Sequence, residues 1–303
     1  MFQSSSSLPP PVAPSPLSSA ASTVRRIAHI SDVHMLEAGP VQSVIAGLVL
    51  RFLSVGRALD ARGRRTKLKR ALAAAMRSGA DHVVISGDLT EVGAAGQYEA
   101  FAETLHESAI CPENVTLVPG NHDVYASGEA WKRALDGPLR AYRGTSAEHA
   151  GKLVERGDVI VLPVDVTCFQ AITRSAGELG DSAADALERR FSDRAFRNKA
   201  LIVVQHHPPF AHATGTWQWI DGLRGSARMM GLLATHPHVQ VLHGHLHKAV
   251  DRLVGAGLRK SRVFGASATV DDDEATPRVR LYDLRDGQLE GALGERGTAC
   301  RPA

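Results

Sequence analysis

The chain has 303 residues, of which 44% are hydrophobic, 22% charged and 5% aromatic, with a formal net charge of +3. That length and apolar share permit one large domain or two small ones with a substantial core, which sets aside a disordered chain and a disulfide-stapled miniature. The basic excess is too slight to argue for nucleic acid, and the three cysteines, Cys111, Cys168 and Cys300, lack CxxC spacing.

Residues 1–23 hold eight Ser and five Pro, a composition with little to bury that reads as a disordered tail. They lack the basic-then-apolar order of a secretory signal, and nowhere do 18 apolar residues follow one another, so a cytoplasmic location is expected. A strand-like run at 26–30 then leads into Asp32-Val33-His34. Runs at 81–85, 114–118, 200–204 and 239–242 follow the same plan. They lead into Gly87-Asp88, Gly120-Asn121-His122-Asp123, His206-His207-Pro208 and His243-Gly244-His245-Leu246-His247. Helix-like stretches at 67–78, 97–107, 129–142, 184–197 and 227–234 separate them, the alternation of an α/β sheet. Further strands are expected at 262–264 and 278–284, with a Gly-rich, weakly ordered finish after Gly287. Residues 24–290 thus form one domain, and 291–303 a flexible tail.

Polar residues gathered at strand ends suggest one shared site. Asp32 and His34, and likewise His245 and His247, lie two apart, so their side chains can enter the same space. Gly87 and Gly120 permit sharp turns that bring Asp88 and Asn121 towards a common centre. With one of His206 and His207, the set offers carboxylate, imidazole and amide donors without thiolate, a chemistry suited to Mn, Fe or Zn. Seven donors exceed the need of one tetrahedral ion. His122 is not required as a ligand and can stabilise or protonate a departing oxygen, with Asp123 fixing its orientation.

DxH at Asp32–His34, GD at Gly87–Asp88, GNHD at Gly120–Asp123, HxP at His206–Pro208 and GHxH at Gly244–His247 occur in an order that resembles the calcineurin-like metallophosphoesterase family, over about residues 25–250. The resemblance implies a four-layer α/β/β/α sandwich with its site on strand-end loops. It selects His206 over His207, which becomes a neighbouring or substrate-facing group. It implies one ion on Asp32, His34, Asp88 and His247, and a second on the bridging Asp88, Asn121, His206 and His245. Two divalent ions, two carboxylates and a bridging hydroxide would leave about +1, attractive to phosphate. The implied activity is hydrolysis of a phosphomonoester or phosphodiester. A cyclic-nucleotide phosphodiesterase and a lipid-headgroup phosphoesterase are the substrate alternatives. A noncatalytic scaffold on the same fold is the alternative of another class, and the intact ligand set speaks against it. Oligomeric state is not legible.

Residues 40–70 follow the first metal motif as an apparent insertion. Val41, Val44, Ile45, Leu48, Val49, Phe52 and Leu53 keep the spacing of an apolar helical stripe. Eight Lys or Arg at 51, 57, 62, 64, 65, 67, 69 and 70 stand against Asp60 alone, a local +7. One reading is a helix packed on the sandwich beside a solvated basic loop. The other is peripheral contact of residues 41–70 with an anionic membrane, at its inner surface. Nucleic acid finds little support without interleaved aromatics. Trp217 and Trp219, just after HxP, are candidates for lining a substrate pocket.

Overall fold

Alternation of side chains along the strands decides the architecture. The computed structural model describes residues 24–39, 44–255, 260–273 and 276–291. Both expected tails, apart from Gly291, and Val41 lie outside them. In chain order the strands are β1 (Arg26–Ile30), β2 (His82–Ser86), β3 (Val115–Val118), β4 (Val154–Arg156), β5 (Val159–Pro163), β6 (Gly177–Glu178), β7 (Ala200–Val204), β8 (Leu223–Arg224), β9 (Val239–His243), β10 (Val250–Val254), β11 (Ser261–Gly265), β12 (Arg280–Arg285) and β13 (Gln288–Gly291). The helices are α1 (Val44–Leu53), α2 (Ala61–Arg77), α3 (Ala95–Glu107), α4 (Ala130–Asp136), α5 (Asp181–Phe191), α6 (Gly215–Asp221) and α7 (Ser226–Thr235).

One sheet has the order β13-β12-β1-β2-β3 and a second β10-β11-β9-β7-β5-β4, while β6 and β8 form a small pair. The strands β1, β2 and β3 run parallel, as do β5, β7, β9 and β11. Ile27, Val84 and Val118 of the first sheet meet Val161, Ile202, Val204 and Leu242 of the second in one buried cluster. The alternate residues Ala28, Ile30, Val83, Ile85 and Leu117 pack with Leu68 and Leu72 of α2 and Phe101 of α3. On the far side, Ile160, Leu201, Val203 and Val241 pack with Leu187 of α5 and Leu233 of α7. Three apolar interfaces separate four layers, and the order α/β/β/α follows.

Several boundaries differ from expectation for local reasons. The helix expected at 129–142 stops at Asp136 because Gly137 and Pro138 interrupt it, and a 3-10 turn over Arg140–Thr145 follows. The one expected at 184–197 runs instead from Asp181 to Phe191, and Asp193 caps a separate 3-10 turn through the amide of Ala195. Directly after Gly287, residues 288–291 form a strand rather than a loose finish. Asp286 (φ 49°) and Gly287 (φ 73°) form a two-residue turn, and Arg285 pairs with Gln288 across the hairpin.

The 40–70 segment departs furthest from expectation. Its basic half is helical, because Asp60 accepts the Gly63 amide and starts α2 six residues early. Six of its eight cations are engaged: Arg57 and Arg64 with Glu91, Arg65 with Glu103 and Glu107, Lys69 with Glu107, Arg70 with Asp272, and Lys67 with the Val270 carbonyl. A solvated basic loop is therefore replaced by a helix whose charges face protein partners. Along α1, Leu53 is buried, Val49 is half-buried, and Leu48 and Phe52 are 63% and 58% exposed. No helix among the described residues is long and apolar enough to cross a membrane.

Candidate metal centre

Loops at the carboxyl ends of β1, β2, β3, β7 and β9 meet at one end of the sandwich. The Asp32 amide donates to the Gly87 carbonyl (3.0 Å), that of His34 to Asp88 (2.8 Å), and that of Gly244 to His206 (3.0 Å). These bonds join four of the five motifs in two pairs, DxH with GD and GHxH with HxP. Asp32, His34, Asp88, His245 and His247 all have positive φ, from 49° to 70°. Left-handed backbone costs free energy at non-glycine positions, least for Asn, Asp and His, and it clusters where side chains are aimed at a common point. Gly120 has no side chain because a Cβ there would overlap Asp88, and Gly87 (φ 99°) because one would overlap the His206 ring.

Asp32, His34, Asp88, Asn121 and His206 are buried. His34 Nε2 lies 3.4 Å from His247 Nε2 and 3.7 Å from Asp88 Oδ2, which is 3.2 Å from His206 Nε2. Asp32 Oδ1 lies 3.4 Å from His247 Nε2. Ligand atoms of Asp32, His34 and His247 fall within 4.8 Å of one another, as do those of Asp32, Asp88 and His206. Burial would push the Asp32 and Asp88 carboxyls up, but His247 beside the first, and His206 and His122 beside the second, hold both below the usual carboxylate range. Burial would likewise lower His206, yet Asp88 and Asp32 raise it to about 9.

These residues fit a pair of cations, as the histidine hydrogen bonds indicate. His206 Nδ1 donates to the Ser86 carbonyl (2.8 Å) and His247 Nδ1 meets Asp271 Oδ2 (3.0 Å), which leaves Nε2 of both rings as donor atoms. His245 Nε2 is held by Asp221 (3.0 Å), which leaves its Nδ1. One ring nitrogen tied to an oxygen acceptor with the other left over is the arrangement of metal-ligating histidine. Asn121 Nδ2 donates to the Tyr125 hydroxyl, while its buried Oδ1 has no hydrogen-bond partner. His245 belongs to none of the tight clusters. It lies with its ring 5.2 Å from that of His206 and 4.3 Å from that of His207.

The family model described as calcineurin-like phosphoesterase matches residues 25–249. This chain is a calcineurin-like phosphoesterase. It is 26% identical over 173 residues, 57% of its length, to the glycerophosphodiester phosphodiesterase GpdQ of Enterobacter lignolyticus (strain SCF1), and the match spans 58% of that relative. Its fold resembles a dimetal phosphatase from Danio rerio (TM-score 0.61, 14% identity, 86% of this chain and 93% of that one). It also resembles TT1561 of Thermus thermophilus (TM-score 0.55, 19% identity, 89% and 99%). Membership and architecture agree with the layers described above.

The phosphoesterase places its other expected site residues unequally. His122 is the more open imidazole, 12% exposed; its amide donates to Asp88 Oδ1 (3.0 Å) and its Nδ1 to the Glu91 carbonyl (2.7 Å). Asp123 does not hold His122. Its buried carboxylate accepts from the amides of Leu89, Thr90 and Gly120 and from the Thr90 hydroxyl, because turning inwards is how it braces the two loops. Burial followed by the Asp88 charge raises Asp123 to about 7. His207 is buried, with Nε2 donating to the Ser175 carbonyl (2.6 Å). Trp217 and Trp219 lie on α6, 59% and 58% exposed, and Arg174 stacks 4.0 Å from the Trp219 ring.

Four residues with roles at the site fall outside the five sequence motifs. Asp221 and Asp271 hold His245 and His247, and Tyr125 holds Asn121. Glu91, fully buried, lies between His34 Nδ1 (3.6 Å) and His122 Nδ1 (3.9 Å) and pairs with Arg64. Glu91 follows Asp88 by three residues, which marks it as a neighbour. Its ion pair is visible only once α2 has packed.

Proposed function

We propose that this chain catalyses binuclear-metal-dependent hydrolysis of a phosphodiester, with Asp32, His34, Asp88 and His247 holding one ion and Asp88, Asn121, His206 and His245 the other. The observation that carries the reading is the set of histidine rings fixed by one nitrogen, with the other left as a donor. The likeness to a glycerophosphodiester phosphodiesterase favours a diester over a monoester. Two divalent ions at such a site would acidify a shared water and offset charge on the phosphoryl oxygens. The chain's own part is to aim the donors through strained, glycine-relieved loops and to exchange a proton at His122. Its Nδ1 is committed to the Glu91 carbonyl, so Nε2 is the atom facing that task.

Asp88→Ala and Asn121→Ala, each assayed on bis(p-nitrophenyl) phosphate and p-nitrophenyl phosphate with Mn, Fe and Zn in turn, are expected to lose turnover and bound metal together. Retention of both activities by both variants refutes the proposal, and faster monoester cleavage by the unaltered protein reverses the diester preference. We infer also that α1 makes peripheral contact with a lipid surface. Leu48, Phe52 and, just beyond the helix, Val55 are exposed at a spacing that shares one helical face, beside Arg51.

A further inference from the structure

Next to the metal centre lies a second space that the phosphoester chemistry does not use. A cavity of about 510 Å³ opens between α1 and the amino-terminal end of α3, within the range of small-ligand sites. Its walls include Leu36, Leu50, Leu53, Val92, Tyr125 and Ile172. Three of these sit on the metal loops. Leu36 follows His34 by two residues, Val92 follows Asp88 by four, and Tyr125 holds Asn121 by a 3.0 Å hydrogen bond. The opposite wall is α1, so the segment inserted after the first metal motif encloses space beside the site.

The lining is chiefly aliphatic; of its three polar side chains Glu37 is exposed beside Gly96, and the other two are bonded to protein partners. Gln97 Oε1 accepts the Val92 amide (2.9 Å), and the Tyr125 hydroxyl donates to the Arg174 carbonyl (2.8 Å). A nucleobase requires hydrogen-bonding partners for its ring edge, whereas a hydrocarbon chain requires only apolar surface out of water. We propose that this cavity takes the alkyl or acyl chain of the substrate, so that the enzyme acts on a phosphoester carrying one long apolar substituent. The proposal rests on the phosphodiesterase reading above and names its substrate class.

The test uses p-nitrophenyl methyl and p-nitrophenyl octyl phosphate as paired substrates, and ethyl and octyl phosphate as calorimetric ligands for the protein with and without Mn. Each fully buried methylene contributes about a factor of four in affinity, or about 0.8 kcal/mol. With partial burial, octyl phosphate is expected to bind about 100-fold or more tightly than ethyl phosphate. A negative heat-capacity change should accompany it, and kcat/KM should favour the octyl ester similarly. Ala95→Trp, which fills the cavity from α3, should collapse both ratios, whereas Lys132→Ala on the exposed face of α4 should leave them as they are.

Equal binding of the two phosphates, or the same octyl preference in Ala95→Trp, overturns the chain site, as does faster turnover of cyclic AMP than of the octyl ester. If neither ester is cleaved with any metal, the phosphodiesterase reading fails, and the calorimetric ratio still decides the cavity by itself. Faster cleavage of the chain-bearing ester in phosphatidylcholine vesicles than in solution assigns the chain to a lipid, and the reverse assigns it to a soluble ester. Both support the site.

Discussion

Replacing Arg64 by methionine removes a guanidinium that is 3% exposed and leaves the carboxylate of Glu91, 0% exposed, without its main partner. Arg64 also donates to the carbonyls of His34 (2.6 Å) and Ala58 (3.0 Å). Breaking one side of a buried pair typically costs about 3–5 kcal/mol, because the remaining charge is uncompensated. Arg57, 3.7 Å from the other Glu91 oxygen and 19% exposed, supplies part of the missing charge. We therefore expect the low end, about 3 kcal/mol, which at a urea m-value of about 3 kcal/mol/M lowers the unfolding midpoint by about 1 M. In Arg64→Met/Glu91→Gln the buried Glu91 charge is removed as well, and Arg57 keeps its bond to the Leu53 carbonyl. The double variant should recover most of the loss, with a coupling energy of about 2 kcal/mol from the four-way cycle. A coupling below about 0.5 kcal/mol would show that the pair does not act as a unit and that Arg64 does not hold Glu91 in place beside His34 and His122.

His82, buried with its Nε2 against the Thr116 hydroxyl, is held by burial at about 3. The folded state thus binds fewer protons than the unfolded one between about 3 and 6.5, and stability falls as pH drops through that window, by about 2 kcal/mol from this residue between about pH 6.5 and 5. Urea unfolding at both pH values should show a flatter dependence in His82→Gln, and an unchanged slope would refute the assignment. Gly87→Ala, which combines a left-handed φ with overlap of the His206 ring, should weaken Mn binding about 10–100-fold by calorimetry; unaltered affinity would contradict the packing. Flotation with phosphatidylglycerol vesicles should be reduced by Phe52→Ser and change little between low and high salt, because most nearby cations face protein acids. Strong salt sensitivity with no effect of the substitution would transfer the contact to the basic residues.

The strand ends were legible because two signals coincide there, an apolar run that needs a sheet and a polar turn that cannot be core. That is why Asp32, His34, Asp88, Asn121, His206, His245 and His247 could be expected to gather at one end of the sandwich from spacing and resemblance. What escaped depends on tertiary packing. Arg64 sits in a run of cations that reads as solvated, and only the register of α2 against Glu91 makes it internal. Asp221 and Asp271 are ordinary turn acids until the GHxH loop lies over them. β5 and β13 escaped for a different reason: the apolar run of β5 leads into none of the polar motifs that marked the other strands, and a Gly-rich ending carries too little pattern to distinguish strand from loop. Of the cysteines, Cys111 is exposed and Cys168 half-buried.

The donors are divided between the two halves of the sandwich, with Asp32, His34, Asp88 and Asn121 following strands of one sheet and His206, His245 and His247 following strands of the other. Cations seated among them would act as a clasp across the seam. Occupancy would then stabilise the native chain alone, so its melting temperature should rise with free metal concentration. Removing metal would release the rim of the seam first, where the histidine loops meet, while the apolar centre between the sheets stays closed.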